Sequence, residues 1–176
     1  VTDEGSLKEA ISHDYVCAEY KNSYRSGDNF IGSNCLPVDC DNDHSDNPED
    51  WITPNDVMQA FTNVSFAIHY SRSNNKAKNG KTARPKFHVL FPIDYENDAT
   101  KYKEIKQKVN LIFPYFDSNA LDAARFFFGT KEGNVEIYKG DMGKRLRVST
   151  MYQKEHVFTT KLQPYFGDTP LNKITP

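Results

Sequence analysis

Residues 35–43 read CLPVDCDND: a short apolar run enters Asp39, and carboxylates then recur at Asp41 and Asp43. Side chains two apart on a strand point to the same face, so Asp39 and Asp41 leave the end of the strand expected at 34–40 side by side. Two carboxylates that close are costly unless a cation lies between them or one takes up a proton. A divalent ion removes the conflict, and Mg²⁺ is commonly held by one or two carboxylates together with phosphate oxygens. A solvated acidic loop after an edge strand is the plain alternative. Cys35, Cys40 and His44 form a weaker, zinc-like set: no fourth ligand is evident, and positions five apart on a strand face opposite ways.

Around this stretch the charge is segregated. Seven carboxylates and no Lys or Arg lie between Asp39 and Asp56, whereas six cations and no carboxylate lie between Arg72 and Lys86. The net charge of −2 over 176 residues advertises neither nucleic acid nor membrane, so the two poles carry the information. Three cysteines without framework spacing, and no apolar stretch of signal-peptide or membrane-spanning length, lead to the expectation of a reducing, cytoplasmic location. The length suits a single domain spanning 1–176, and a first residue other than Met suggests a domain cut from a longer polypeptide.

Periodicity predicts helices over 6–20, with Ser6 as N-cap, over 53–62, opened by T-P-N-D, and over 100–113. Alternation predicts strands over 65–71 (SFAIHYS) and 86–92 (KFHVLFP), a hairpin with a long basic loop. Short strands are expected at 125–128 and 135–138, with the glycines between them suiting a tight turn. The mixed order implies an α+β fold with a mainly antiparallel sheet flanked by helices.

Arg84, Lys86 and His88 fall at every second position, so regular strand geometry would put two cations and an imidazole on one face, a seat for a triphosphate. Downstream, FPYFDSNALDAARFFFG (113–129) ends an apolar run at Asp117 and brings in Arg125 eight residues later.

Together these pieces resemble the archaeo-eukaryotic primase (AEP) superfamily, in particular the primase-polymerases of plasmids, phages and other mobile elements. That family has a hydrophobic strand ending in D-x-D or D-x-E, a strand bearing a catalytic His, and a third acidic residue followed by an Arg. The resemblance covers about residues 12–140. It implies an AEP-like, RRM-like sheet with Asp39, Asp41, Asp117 and His88 as catalytic residues. Asp39, Asp41 and Asp117 would be ligands of a two-metal Mg²⁺ or Mn²⁺ site, with Asp122 a second candidate for the third carboxylate. Arg84, Lys86, His88 and Arg125 would contact the nucleotide. Arg25, in YRSGDNF (24–30), is a further candidate for nucleotide or template contact. The implied partners are nucleoside triphosphates, a single-stranded or primed DNA template and a fused or separate helicase, with no membrane. Lys86 stands where the family motif has Ser, and no helicase segment is present. A metal-dependent nuclease and a non-catalytic single-strand-binding module are the alternatives.

Overall fold

Alternation along residues 30–40 sets the architecture, because each face of that strand meets a different layer. The computed structural model describes residues 3–78, 80–131, 134–140 and 145–146. Their strands are β1 (Tyr15–Val16), β2 (Glu19–Tyr20), β3 (Phe30–Cys40), β4 (Phe66–Tyr70), β5 (Phe87–Glu96), β6 (Phe126–Phe127) and β7 (Val135–Tyr138). Helices α1 (Glu4–Ile11), α2 (Pro54–Ala60) and α3 (Ala99–Ile112) flank them. Five strands form an antiparallel sheet in the order β2-β3-β5-β4-β7, and β1 pairs with β6 in a separate two-stranded ribbon. The protein is therefore α+β with antiparallel sheets, as the sequence implies.

Leu36, Val38 and Cys40 of β3, Phe87, Val89 and Phe91 of β5, and Phe66 and Ile68 of β4 share one buried cluster with Val57 and Phe61 from the α2 region and Tyr102 and Val109 of α3. Full burial of each large side chain contributes about 1.5–3 kcal/mol, so this face supplies most of the drive to fold. The opposite face carries a smaller cluster: Leu90 meets Leu7 and Ile11 of α1, with Tyr15, Cys17 and Cys35 packed alongside. Asp39, His88 and His69 lie on this second face. They occupy one rung, Asp39 opposite His88 on β5 and His88 opposite His69 on β4.

Pro37 sits within β3 where only β5 pairs with it, since β2 reaches β3 no further than Gly32. Proline cannot donate to a ladder, and here the outer edge asks for no donor. Along β3 beyond β2, the Asp117 N–H donates to the Asp39 carbonyl and the Tyr102 hydroxyl to the Cys35 carbonyl, each at 2.8 Å.

Several boundaries differ from the sequence reading. The helix expected over 6–20 stops at Ile11, and Asp3 rather than Ser6 caps it by accepting from the Ser6 N–H. Tyr15 and Val16 are instead drawn into pairing with Phe127 and Phe126. Tertiary pairing overrides a helix-compatible spacing. The strands near 125 and 135 are not a hairpin: β6 joins β1, whereas β7 adds to β4 at the sheet edge. The hairpin of β4 and β5 does form, but β5 begins only at Phe87. Pro85 precedes it, and Arg84, before that proline, is not carried onto the face of His88 as expected, whereas Lys86 reaches Asp41, the next acidic position after Asp39.

Candidate active site

Asp39 is 6% exposed at the end of β3, and both of its oxygens are engaged. His88 Nε2 lies 3.0 Å from Oδ1, and an Arg125 terminal nitrogen lies 2.8 Å from Oδ2. The same Arg125 nitrogen is 4.0 Å from Asp117 Oδ2. Burial alone would raise the Asp39 carboxyl, but the bonds and charge of His88 and Arg125 outweigh it and hold the group below the usual carboxylate range.

The ribbon of β1 and β6 brings Arg125 here. Gly129 ends it, where an added Cβ would lie 2.1 Å from the His13 carbonyl oxygen. The Gly129 N–H donates to Asp14 at 3.0 Å, and the Thr130 N–H to the Ile11 carbonyl at 2.9 Å. The segment between Asp117 and Arg125 is held from below by Lys106 of α3. Its buried ammonium donates to the carbonyls of Ala120 and Asp122 at 3.1 and 3.0 Å, and burial lowers its pKa to about 8.

Beside Asp39 opens a cavity of about 320 Å³ whose lining includes Asp41, Asp43, His44, Tyr115, Asp117 and Asn119. Lys86 stands at its edge, 3.3 Å from both Asp41 Oδ1 and Asp43 Oδ1. Burial and the neighbouring Asp39 charge raise the Asp41 carboxyl, and Lys86 offsets this only in part. Asp41 and Asp117 thus face one cleft, while Asp39 sits behind it. Among the described residues, no group of three or more His, Cys, Asp or Glu side chains is close enough to hold a metal ion. Asp122 is exposed and accepts from the Ala124 N–H at 2.8 Å, away from the cleft lining.

Arg84 is not brought to this cleft. It is fully buried, donating to the carbonyls of Asn42 at 2.9 Å and Ser45 at 3.2 Å and to Asp46 Oδ1 at 2.7 Å, with its guanidinium 5.5 Å from the centre of the Trp51 ring. This corrects the expectation of a phosphate contact: the side chain fastens the loop that follows β3. Arg25 is exposed, donates to the Ala124 carbonyl at 2.7 Å and lies over the Phe126 ring. Arg72 lies likewise over Phe128, so two aromatic rings on the outward side of β6 are flanked by arginines.

Two residues left without a role by the sequence stand next to His88. Tyr15 Oη lies 3.4 Å from His88 Nδ1 and 3.3 Å from His69 Nδ1. Phe127 stacks on Tyr15 and meets His88 edge-on, which fixes both rings. Aligning SFAIHYS against KFHVLFP as a hairpin would have paired the two histidines. Tyr15 left no such signal, since its spacing fitted a helix.

Burial and His88 lower the His69 pKa to about 4. The unfolded chain therefore binds the proton first. Stability is fully present above the ordinary histidine value near 6.5 and declines as the pH falls toward 4, by on the order of 3 kcal/mol in all. Urea midpoints measured across this range should fall, and His69→Leu should flatten the profile. An unchanged slope in that variant would contradict the assignment.

A family model described as phage integrase, N-terminal SAM-like domain, matches residues 134–176, most of which lie outside the described residues and none of which belongs to the site above. No curated protein matches. Among solved structures, the chain is similar to the AEP domain of the primase-polymerase of cyanophage S-2L, at 14% identity and a TM-score of 0.49. The match covers 78% of this chain and 66% of that domain, so the chain spans less than two thirds of its length. No helix among the described residues is long and apolar enough to cross a membrane.

Proposed function

We propose that the chain carries out nucleotidyl transfer of the primase-polymerase kind, joining nucleotides from nucleoside triphosphates to a 3′-hydroxyl, with release of pyrophosphate, as directed by a primed or single-stranded DNA template in replication of a mobile element. The observation that carries this reading is the convergence of Asp39, His88 and Arg125, from three separate strands or their ends, beside a cleft faced by Asp41 and Asp117.

The donor chemistry fits a hard divalent cation, because carboxylate oxygens suit Mg²⁺ and Mn²⁺ and Asp41 carries an electrostatic penalty that a cation would relieve. Asp41 and Asp117 would hold it, with Asp39, now held by His88 and Arg125, as the third carboxylate of the set. A metal bound there would neutralise charge on the triphosphate and lower the pKa of the primer hydroxyl. Lys86 and Arg125 bind phosphate oxygens, and His88 Nε2, which faces Asp39 in the free protein, turns its hydrogen bond to one of them when substrate is bound. The ring pair Phe126 and Phe128, flanked by Arg25 and Arg72, offers stacking and charge to a single strand. A helicase, fused or separate, would supply the opened strand.

Primer-template extension with Mg²⁺ or Mn²⁺ tests the reading. The wild type should extend, and Asp41→Ala/Asp117→Ala should lose about 10²-fold or more of that rate. Equal extension by both proteins would refute the mechanism, and metal-dependent shortening of DNA without extension would replace it with a nuclease.

A further inference from the structure

The hydroxyl of Tyr15 has one proton and two imidazole nitrogens to serve. His88 Nδ1 and His69 Nδ1 both lie within hydrogen-bond distance of it, so one must accept its proton and the other must donate to its oxygen. At a pH where both imidazoles are neutral, the choice is set from the far side of His88. If His88 carried its proton on Nδ1, a bare Nε2 would face Asp39 Oδ1 at 3.0 Å, lone pair against carboxylate. His88 is therefore protonated at Nε2, donates to Asp39, and accepts from Tyr15. His69 must then carry its proton on Nδ1 and donate to the Tyr15 oxygen. Its Nε2 is left as a bare lone pair, in agreement with that atom being buried with no hydrogen-bond partner. An orphaned acceptor is also the more tolerable outcome than an orphaned N–H.

We propose that Tyr15 and His69 are positioning residues that fix His88 as a hydrogen-bond donor through Nε2, a role that rests on the nucleotidyl-transfer reading above. Burial keeps the Tyr15 phenol protonated and His69 uncharged at neutral pH, so the two bonds that Tyr15 makes hold there. The rings are also held by packing: His69 meets His88 edge-on at 5.2 Å between centroids, and Tyr15 stacks on Phe127 at 5.4 Å. Groups that orient a ring one bond removed from the chemistry typically matter by about 10- to 100-fold.

Long-range proton–nitrogen correlation spectra of the ¹⁵N-labelled protein read the tautomers directly, at a fixed pH of about 8.5 where free imidazole is neutral. The expected result is His88 protonated at Nε2 and His69 at Nδ1, the less common form of a free histidine side chain. In Tyr15→Phe, His69 should revert toward Nε2–H, and the KM for nucleoside triphosphate should rise about tenfold. Wild-type His69 protonated at Nε2 would overturn the proposal without any variant, as would a Tyr15→Phe spectrum unchanged at both rings. Tautomers as stated in a protein that extends no primer would defeat the nucleotidyl-transfer reading and leave the orientation of His88 standing. Extension with the reverse tautomers would defeat the positioning role alone.

Discussion

Replacing Asp39 by Asn is expected to lower metal-dependent primer extension by about 10²–10³-fold. The amide keeps the volume of the carboxylate but offers one acceptor where His88 and Arg125 each require one. Whichever way it turns, an N–H faces an N–H, and either His88 or Arg125 loses its hold. The charge that keeps Arg125 beside the cleft disappears at the same time. Stability should fall by about 1–3 kcal/mol, because His88 is buried and Arg125, partly exposed, can turn toward water. Extension rates and urea midpoints of the same preparation separate the two effects. Full activity in a folded Asp39→Asn protein would show that this carboxylate takes no part in the chemistry.

Arg84→Met should behave in the opposite manner, costing about 2–4 kcal/mol of stability with little direct effect on nucleotide binding. Methionine fills much of the space but leaves the carbonyls of Asn42 and Ser45 without their donor. The Asp46 bond matters less, since that carboxylate is largely exposed. Lys86→Ala is the informative control: its ammonium bridges Asp41 and Asp43 at the cleft edge. Its loss should weaken nucleotide binding while shifting the denaturation midpoint little. If Arg84→Met raised the KM while leaving the denaturation midpoint unchanged, the burial argument would be wrong.

Arg84 also marks the limit of what the sequence could say. The spacing of Arg84, Lys86 and His88 is that of one strand face, but the rule applies only inside a strand, and β5 starts after Pro85. No local signal distinguishes an arginine that reaches solvent from one drawn under a loop by the Asn42 and Ser45 carbonyls. The antiparallel α+β class was legible because 65–71 and 86–92 alternate and the apolar residues of α3 recur at helical spacing, although its buried face also carries Lys106. The place of Asp39 at a strand end was legible for the same reason: it ends a run whose alternate residues Leu36 and Val38 are buried. The 6–20 segment was not, because its apolar spacing suits a helix and its recruitment by β6 depends on residues more than a hundred positions away. The division of labour among the carboxylates was likewise hidden, since it follows from Arg125 reaching Asp39 rather than from any motif.

The polar rung of Asp39, His88 and His69 bears on how the chain finds its pairing at all. Sliding β5 by one residue against its neighbours would carry His88 in among Phe61, Phe66 and Phe113 and turn Phe87 outward. Two adjacent strands each bear one imidazole at the same level, so a slip of either exacts a desolvation penalty that the aromatic layer cannot repay. The row that reads as chemistry in the folded protein acts, during folding, as a proofreading mark for strand alignment.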